Sequence, residues 1–138
     1  MATKPMSRTA TDVDALARAT IRRWVGSWKQ SDLLEEARDA LHWLPALNRR
    51  RAYADLTDLP TWAAYYEIEN AAAHAVADHA NELLRTMPDV LTCNWPSKRE
   101  WRVIVRSGRG WERIGQLFRS AQSVTQRWPD AAILTGER

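Results

Sequence analysis

Apolar residues recur at three- and four-residue intervals over most of this chain, the period that an α-helix with one buried face requires. The clearest series is Val13, Leu16, Ala17, Ile21, Trp24, Val25 and Trp28, behind Thr11 as a cap and with Asp12 and Asp14 in the opening turn. A second series, Leu34, Ala37, Leu41 and Leu44, starts behind Ser31 and is stopped by Pro45, which lacks an amide donor and clashes with the preceding turn. The alanine-rich stretch 60–86 predicts a third helix, with Pro60 in its first turn and Trp62, Tyr65, Tyr66, Ala73, Val76, Ala77, Ala80 and Leu83 along one side. Residues 46–59, which include Arg49, Arg50 and Arg51, read as a solvated loop, and 92–95 as a short connector. No alternating stretch calls for a strand, so the expected fold class is all-α.

A chain of 138 residues with 45% hydrophobic side chains fits one domain with a real core. A mean hydropathy of −0.51 and the absence of long uncharged apolar runs argue against a membrane span. Residues 1–11 carry Lys4 and Arg8 with no apolar run behind them, a polar tail rather than a signal peptide. The single cysteine, Cys93, excludes an internal disulfide framework and a Cys-based zinc site, and reads as a buried or idle thiol. The cytoplasm is the simplest compartment. Trp24, Trp28, Trp43, Trp62, Trp101, Trp111 and Trp128 all fall on or beside helical stripes and are expected in the core.

Charge divides the chain unevenly. Residues 1–59 hold 10 basic and 8 acidic side chains, 60–94 hold 1 and 5, and 95–138 hold 9 and 4. A basic last third beside an acidic middle points to a polyanion-binding end. Within 95–138 three helices are predicted, over 97–106, 111–118 and 121–128. Ser107-Gly108-Arg109-Gly110 forms the first turn, and Arg119-Ser120 the second, with Ser120 as N-cap. Trp111, Ile114, Phe118, Val124 and Trp128 are the expected core of this unit. Gly115, costly inside a helix, is read as the site of a close crossing. The organisation expected is therefore a tail (1–11), a helical region (12–94) for packing, oligomerisation or partner binding, and a C-terminal helix-turn-helix (95–138). On helix 121–128, Gln122, Ser123, Gln126 and Arg127 face outward and suit base edges. Lys98, Arg99, Arg109, Arg113, Arg119 and Ser120 flank it and are assigned to phosphate.

Trp95-Pro96, Arg99-Glu100, the run from Val103 to Arg106, Gly108 and Gly110-Trp111-Glu112-Arg113-Ile114-Gly115 resemble the region 4 helix-turn-helix of sigma factors. Upstream, Glu36-Ala37-Arg38-Asp39-Ala40-Leu41, Leu44-Pro45, Arg51-Ala52-Tyr53 and Trp62 resemble an uncharacterised family of phage and prophage proteins. That family ends in a unit like sigma region 4, and Phe118, Ser120 and Arg127-Trp128 match its ending. The turn at Arg119-Ser120 is one residue shorter than in that pattern, and Pro129 cuts the last helix early. The resemblance implies a transcription regulator that binds double-stranded DNA, with RNA polymerase as a further partner. A homodimer is among the assemblies it allows.

No pattern calls for catalysis, a cofactor or a metal. His74, Asp78 and Glu82 share one helical spacing, but such trios arise readily on a polar face. Two other functions fit the same features. One is DNA packaging by a small-terminase-like protein; the other is an interaction module whose basic helices meet an acidic protein partner.

Overall fold

The computed structural model describes residues 11–27, 31–94 and 99–135, with the backbone alone at Ala46. Trp28, Lys98 and the Trp95-Pro96 pair lie outside the described residues.

Helix α1 (Val13–Gly26) is capped by the Asp12 carboxylate, which accepts from the Ala15 amide at 3.1 Å. Helix α2 (Leu33–Leu41) is capped in the same way by Asp32 through the Glu35 amide at 2.8 Å. Both caps sit one residue beyond the Thr11 and Ser31 that the sequence suggested. Where a loop was expected, a short 3-10 turn (Ala46–Asn48) leads into helix α3 (Arg49–Asp55), which buries Tyr53 completely. Helix α4 (Tyr65–Thr86) starts five residues after Pro60, and its inner face of Ile68, Ala72, Ala73, Val76, Ala77 and Ala80 is made largely of alanine. Small side chains there, and at Ala17, Ala37 and Ala40, let α1 and α2 approach α4 closely.

The expectation of an all-α fold ending in a three-helix unit is overturned. Strands β1 (Val90–Cys93), β2 (Arg102–Ser107) and β3 (Gly110–Arg113) form an antiparallel meander. After helix α5 (Ala121–Arg127), strand β4 (Ala132–Ile133) pairs parallel with β1, giving the order β3-β2-β1-β4. The predicted helix 97–106 is largely β2, and the predicted helix 111–118 is the end of β3 followed by irregular chain. The boundary set at residue 95 cuts between β1 and β2, which pair with each other. Only helix 121–128 stands, shorter by one residue.

The reason lies in Val103-Ile104-Val105. Three successive β-branched residues lose side-chain freedom in a helix and fit a pleated surface. Both faces of β2 are covered, so the apolar/polar alternation of a half-exposed strand never appears. Trp101, Val103 and Val105 pack toward α5 with Phe118, Val124 and Trp128. Ile104 packs the other way, with Leu91 and Cys93, onto Ile21, Val25, Ala80 and Leu84 of the helical layer. The architecture is thus helices, sheet and a single covering helix in three layers. Trp111 lies on the helical side, edge-on to Trp24 at 6.1 Å, and not with Phe118 and Val124 as expected.

The hairpin turn at Ser107-Gly108-Arg109-Gly110 is where the sequence placed a turn, with Gly110 at φ +110°. Gly115 is no helix crossing: it lies outside any helix, exposed, and a Cβ there would meet nothing within 4 Å.

Candidate nucleic-acid interface

Alternation along β2 and β3 sends Arg102, Arg106 and Arg113 to the helical side of the sheet, where each meets the carboxyl end of a helix. Those ends carry carbonyls with no partner inside the helix and a partial negative charge, so a guanidinium is well matched to them. Arg113 donates to the Val25 carbonyl at 3.0 Å and to that of Trp24. Arg102, buried, donates to Ser27 O at 3.4 Å and pairs with Glu100 at 3.7 Å. Arg106 closes the end of α4 through Leu84 O at 2.8 Å and Met87 O, holds Asp89 at 2.9 Å, and stacks over the Trp111 ring at 4.8 Å. Burial pulls the Arg102 and Arg113 guanidinium groups below their ordinary value. An arginine nonetheless stays charged.

Arg113 therefore leaves the set of phosphate-binding candidates: it faces inward and is part of the scaffold. Arg49 and Arg50 of α3 behave alike. Arg49 donates to His42 O and Leu44 O at 3.2 and 3.3 Å, and Arg50 to Thr61 O and Ala63 O at 3.2 and 3.1 Å. Much of the positive charge that marks this sequence neutralises helix ends and loop carbonyls.

The remaining candidates gather around α5. Ser120 is the N-cap, as expected, accepting from the Ser123 amide at 3.1 Å, and the two hydroxyls lie 2.9 Å apart. Val124 is buried on the sheet, leaving Gln122 and Gln126 exposed on the outer face. Arg127 is exposed as well; its guanidinium covers the Trp128 ring at 4.5 Å and donates to Gln116 Oε1 at 3.2 Å. A two-way backbone bridge between Trp101 and Phe118, at 2.8 and 3.1 Å, brings Arg99 and Arg119 to the leading end of α5, both exposed. At the trailing end Arg127 lines a cleft with Asp89 and Val90. The Arg106–Asp89 pair ties that end to the β2–β3 hairpin, whose tip carries exposed Arg109. Exposed carboxylates at Glu112 and Asp130 temper the field on this side.

The histidines take up no joint site. His79 contacts Asp14 at 3.1 Å, His42 contacts Glu69 at 3.2 Å, and His74 is exposed. Among the described residues no three His, Cys, Asp or Glu side chains are grouped to hold a metal ion. Cys93 is buried, its thiol donating to Arg22 O at 3.4 Å. No helix among the described residues is long and apolar enough to cross a membrane.

Sequence reasoning missed a second surface at the far end of the helical layer. Trp43 and Trp62, expected in the core, are 64% and 82% exposed, beside Leu47 at 94% and Tyr66 at 82%. Nothing in the apolar period separates these positions from buried ones, because Trp43 and Trp62 lie just outside the helices to which the pattern assigned them. No family model, curated protein or solved structure matches this chain, so the choice between its surfaces rests on its own residues.

Proposed function

We propose that this protein binds double-stranded DNA through the outer face of α5 and the arginines at its two ends. One observation carries the reading: with the scaffold arginines set aside, Arg99, Arg119 and Arg127 stay exposed at the ends of a helix whose outward side chains are Gln122 and Gln126, and Arg109 is exposed at the tip of the β2–β3 hairpin. Amide side chains match adenine edges, and flanking arginines match phosphates. An α-helix is about 10–12 Å across with its side chains, which a major groove about 12 Å wide admits. The route to DNA does not run through a helix-turn-helix; RNA polymerase, which the resemblance to region 4 implied, stays a candidate for the acidic partner of the alternative reading. Regulation and DNA packaging both remain open to a protein that holds duplex in this way. Duplex DNA as partner fits the cytoplasm of a bacterial host cell, the setting that the resemblance to phage and prophage proteins implies.

The test is retention on random duplex at low salt, followed as salt is raised. Four phosphate contacts give a slope of log affinity on log salt of about −4, since each contributes about −0.9. Arg119→Ala makes the slope shallower by about one unit and weakens all sequences alike. Absence of retention at low salt overturns the proposal and turns the same arginines toward an acidic protein partner.

A further inference from the structure

We propose that Arg127 reads a guanine of the bound duplex and that Gln116 is the positioning residue that sets its guanidinium. The inference rests on α5 as the DNA-reading helix and adds the base that its trailing end selects. Arg127 is the last residue of α5, directly after Gln126. Its guanidinium lies over the Trp128 ring at 4.5 Å, and its Nη1 donates to Gln116 Oε1 at 3.2 Å. The ring beneath is itself fixed. Phe118 meets it edge-on at 5.7 Å, the Trp128 amide donates to Val124 O at 2.8 Å, and its side chain packs against the buried Val103, Phe118 and Val124. A solvated arginine loses rotamer freedom when a ligand holds it; here the indole and Gln116 have taken much of that freedom before any ligand arrives.

Chemistry selects a base edge over a phosphate. Arg127 shares its cleft with the carboxylates of Asp89, which Arg106 holds, and of Asp130, which is exposed. Negative groups beside the guanidinium oppose a phosphate and tolerate a neutral base. The bond to Gln116 uses one of the five N–H donors and leaves four, among them the Nε and Nη2 pair that point side by side. In the major groove only guanine offers such a fork two acceptors, N7 and O6. Gln122 and Gln126 suit adenine, which presents one acceptor and one donor. The preferred duplex therefore carries guanine as well as adenine where α5 lies. With Arg127 given to a base, four phosphate contacts remain for Lys98, Arg99, Arg109 and Arg119, each assigned to phosphate from the sequence.

Sites that the full chain selects from random duplex should carry a guanine. Replacing that guanine by 7-deazaguanine, which lacks the N7 acceptor, should weaken binding about tenfold. Arg127→Lys keeps the charge and loses the fork. It should bind the guanine and 7-deazaguanine duplexes alike, with the affinity for random duplex and its salt slope unchanged. Gln116→Leu should narrow the preference for guanine over 7-deazaguanine about threefold at an unchanged thermal midpoint, since the side chain is exposed. Gln116→Glu, which still offers Arg127 an acceptor, should keep the preference. Selected sites without guanine, or an Arg127→Lys variant that discriminates as the parent does, overturn the assignment of Arg127. A Gln116→Leu variant with the full preference overturns the role of Gln116. These outcomes leave duplex binding by α5 intact, whereas a parent chain that binds no duplex removes that reading and this inference together.

Discussion

At the scale of single residues the arginines divide into scaffold and surface, and the division is testable. Arg113 bridges from the sheet to the carbonyls that end α1. Arg113→Ala takes the charged donor from the Val25 and Trp24 carbonyls, the second of which keeps the Ser27 amide, and a hydrogen bond to a charged group contributes about 1.5–3 kcal/mol. Urea unfolding of this variant should show a loss of that size, whereas Arg119→Ala, exposed, should shift stability by less than about 0.5 kcal/mol. A second residue-scale prediction concerns acid. Asp14 is held below the usual carboxylate range by its hydrogen bond to Arg18 at 2.7 Å and then by His79 at 3.1 Å. A group whose pKa falls on folding stabilises the fold above its unfolded value, and that contribution disappears as pH drops through the folded value. The Asp14 contribution is therefore complete at neutral pH and is lost below about pH 4. Asp14→Asn should flatten that part of the stability profile; a profile of unchanged shape would show that the pairing carries no linkage.

At the scale of elements the β2–β3 hairpin replaces the helix-turn-helix, and two glycines tell the alternatives apart. Gly110 holds φ +110°, a conformation that side-chain-bearing residues rarely adopt, so Gly110→Ala should destabilise by about 1–2 kcal/mol. Gly115 has open space where a Cβ would stand, so Gly115→Ala should fall within about 0.5 kcal/mol of the parent. A buried helix crossing at Gly115 would have given the opposite order. Thermal unfolding of the two variants decides between the folds without any ligand. Helix α5 survives in both readings because its determinants are local: Ser120 supplies the cap, Val124 the inner contact, and Pro129 the stop nearby.

At the scale of the molecule, the sheet is the element on which the two helical surfaces meet, and Ile104 sits at that junction, about 1% exposed among Leu91, Cys93 and the inner faces of α1 and α4. Ile104→Ala should cost about 2–5 kcal/mol. It should lower the helical and sheet signals in one transition; separate transitions would show that the layers unfold independently. The sequence by itself determined α1, α2, the body of α4, α5 and the glycine turn, since caps, prolines and a 3.6-residue apolar period act within a few residues of one another. It also determined that Gln122 and Gln126 would face outward. Only the tertiary structure decided that Val103-Ile104-Val105 is a strand, because a strand covered on both faces shows no alternation until its partners are known. It likewise decided that Arg113 serves the end of α1 while Arg119 stays exposed. Both are arginines in a basic segment, and what separates them is a carbonyl 88 residues away in the chain. The exposure of Trp43, Leu47, Trp62 and Tyr66 has the same origin: an apolar side chain carries no local mark of whether another helix will reach it.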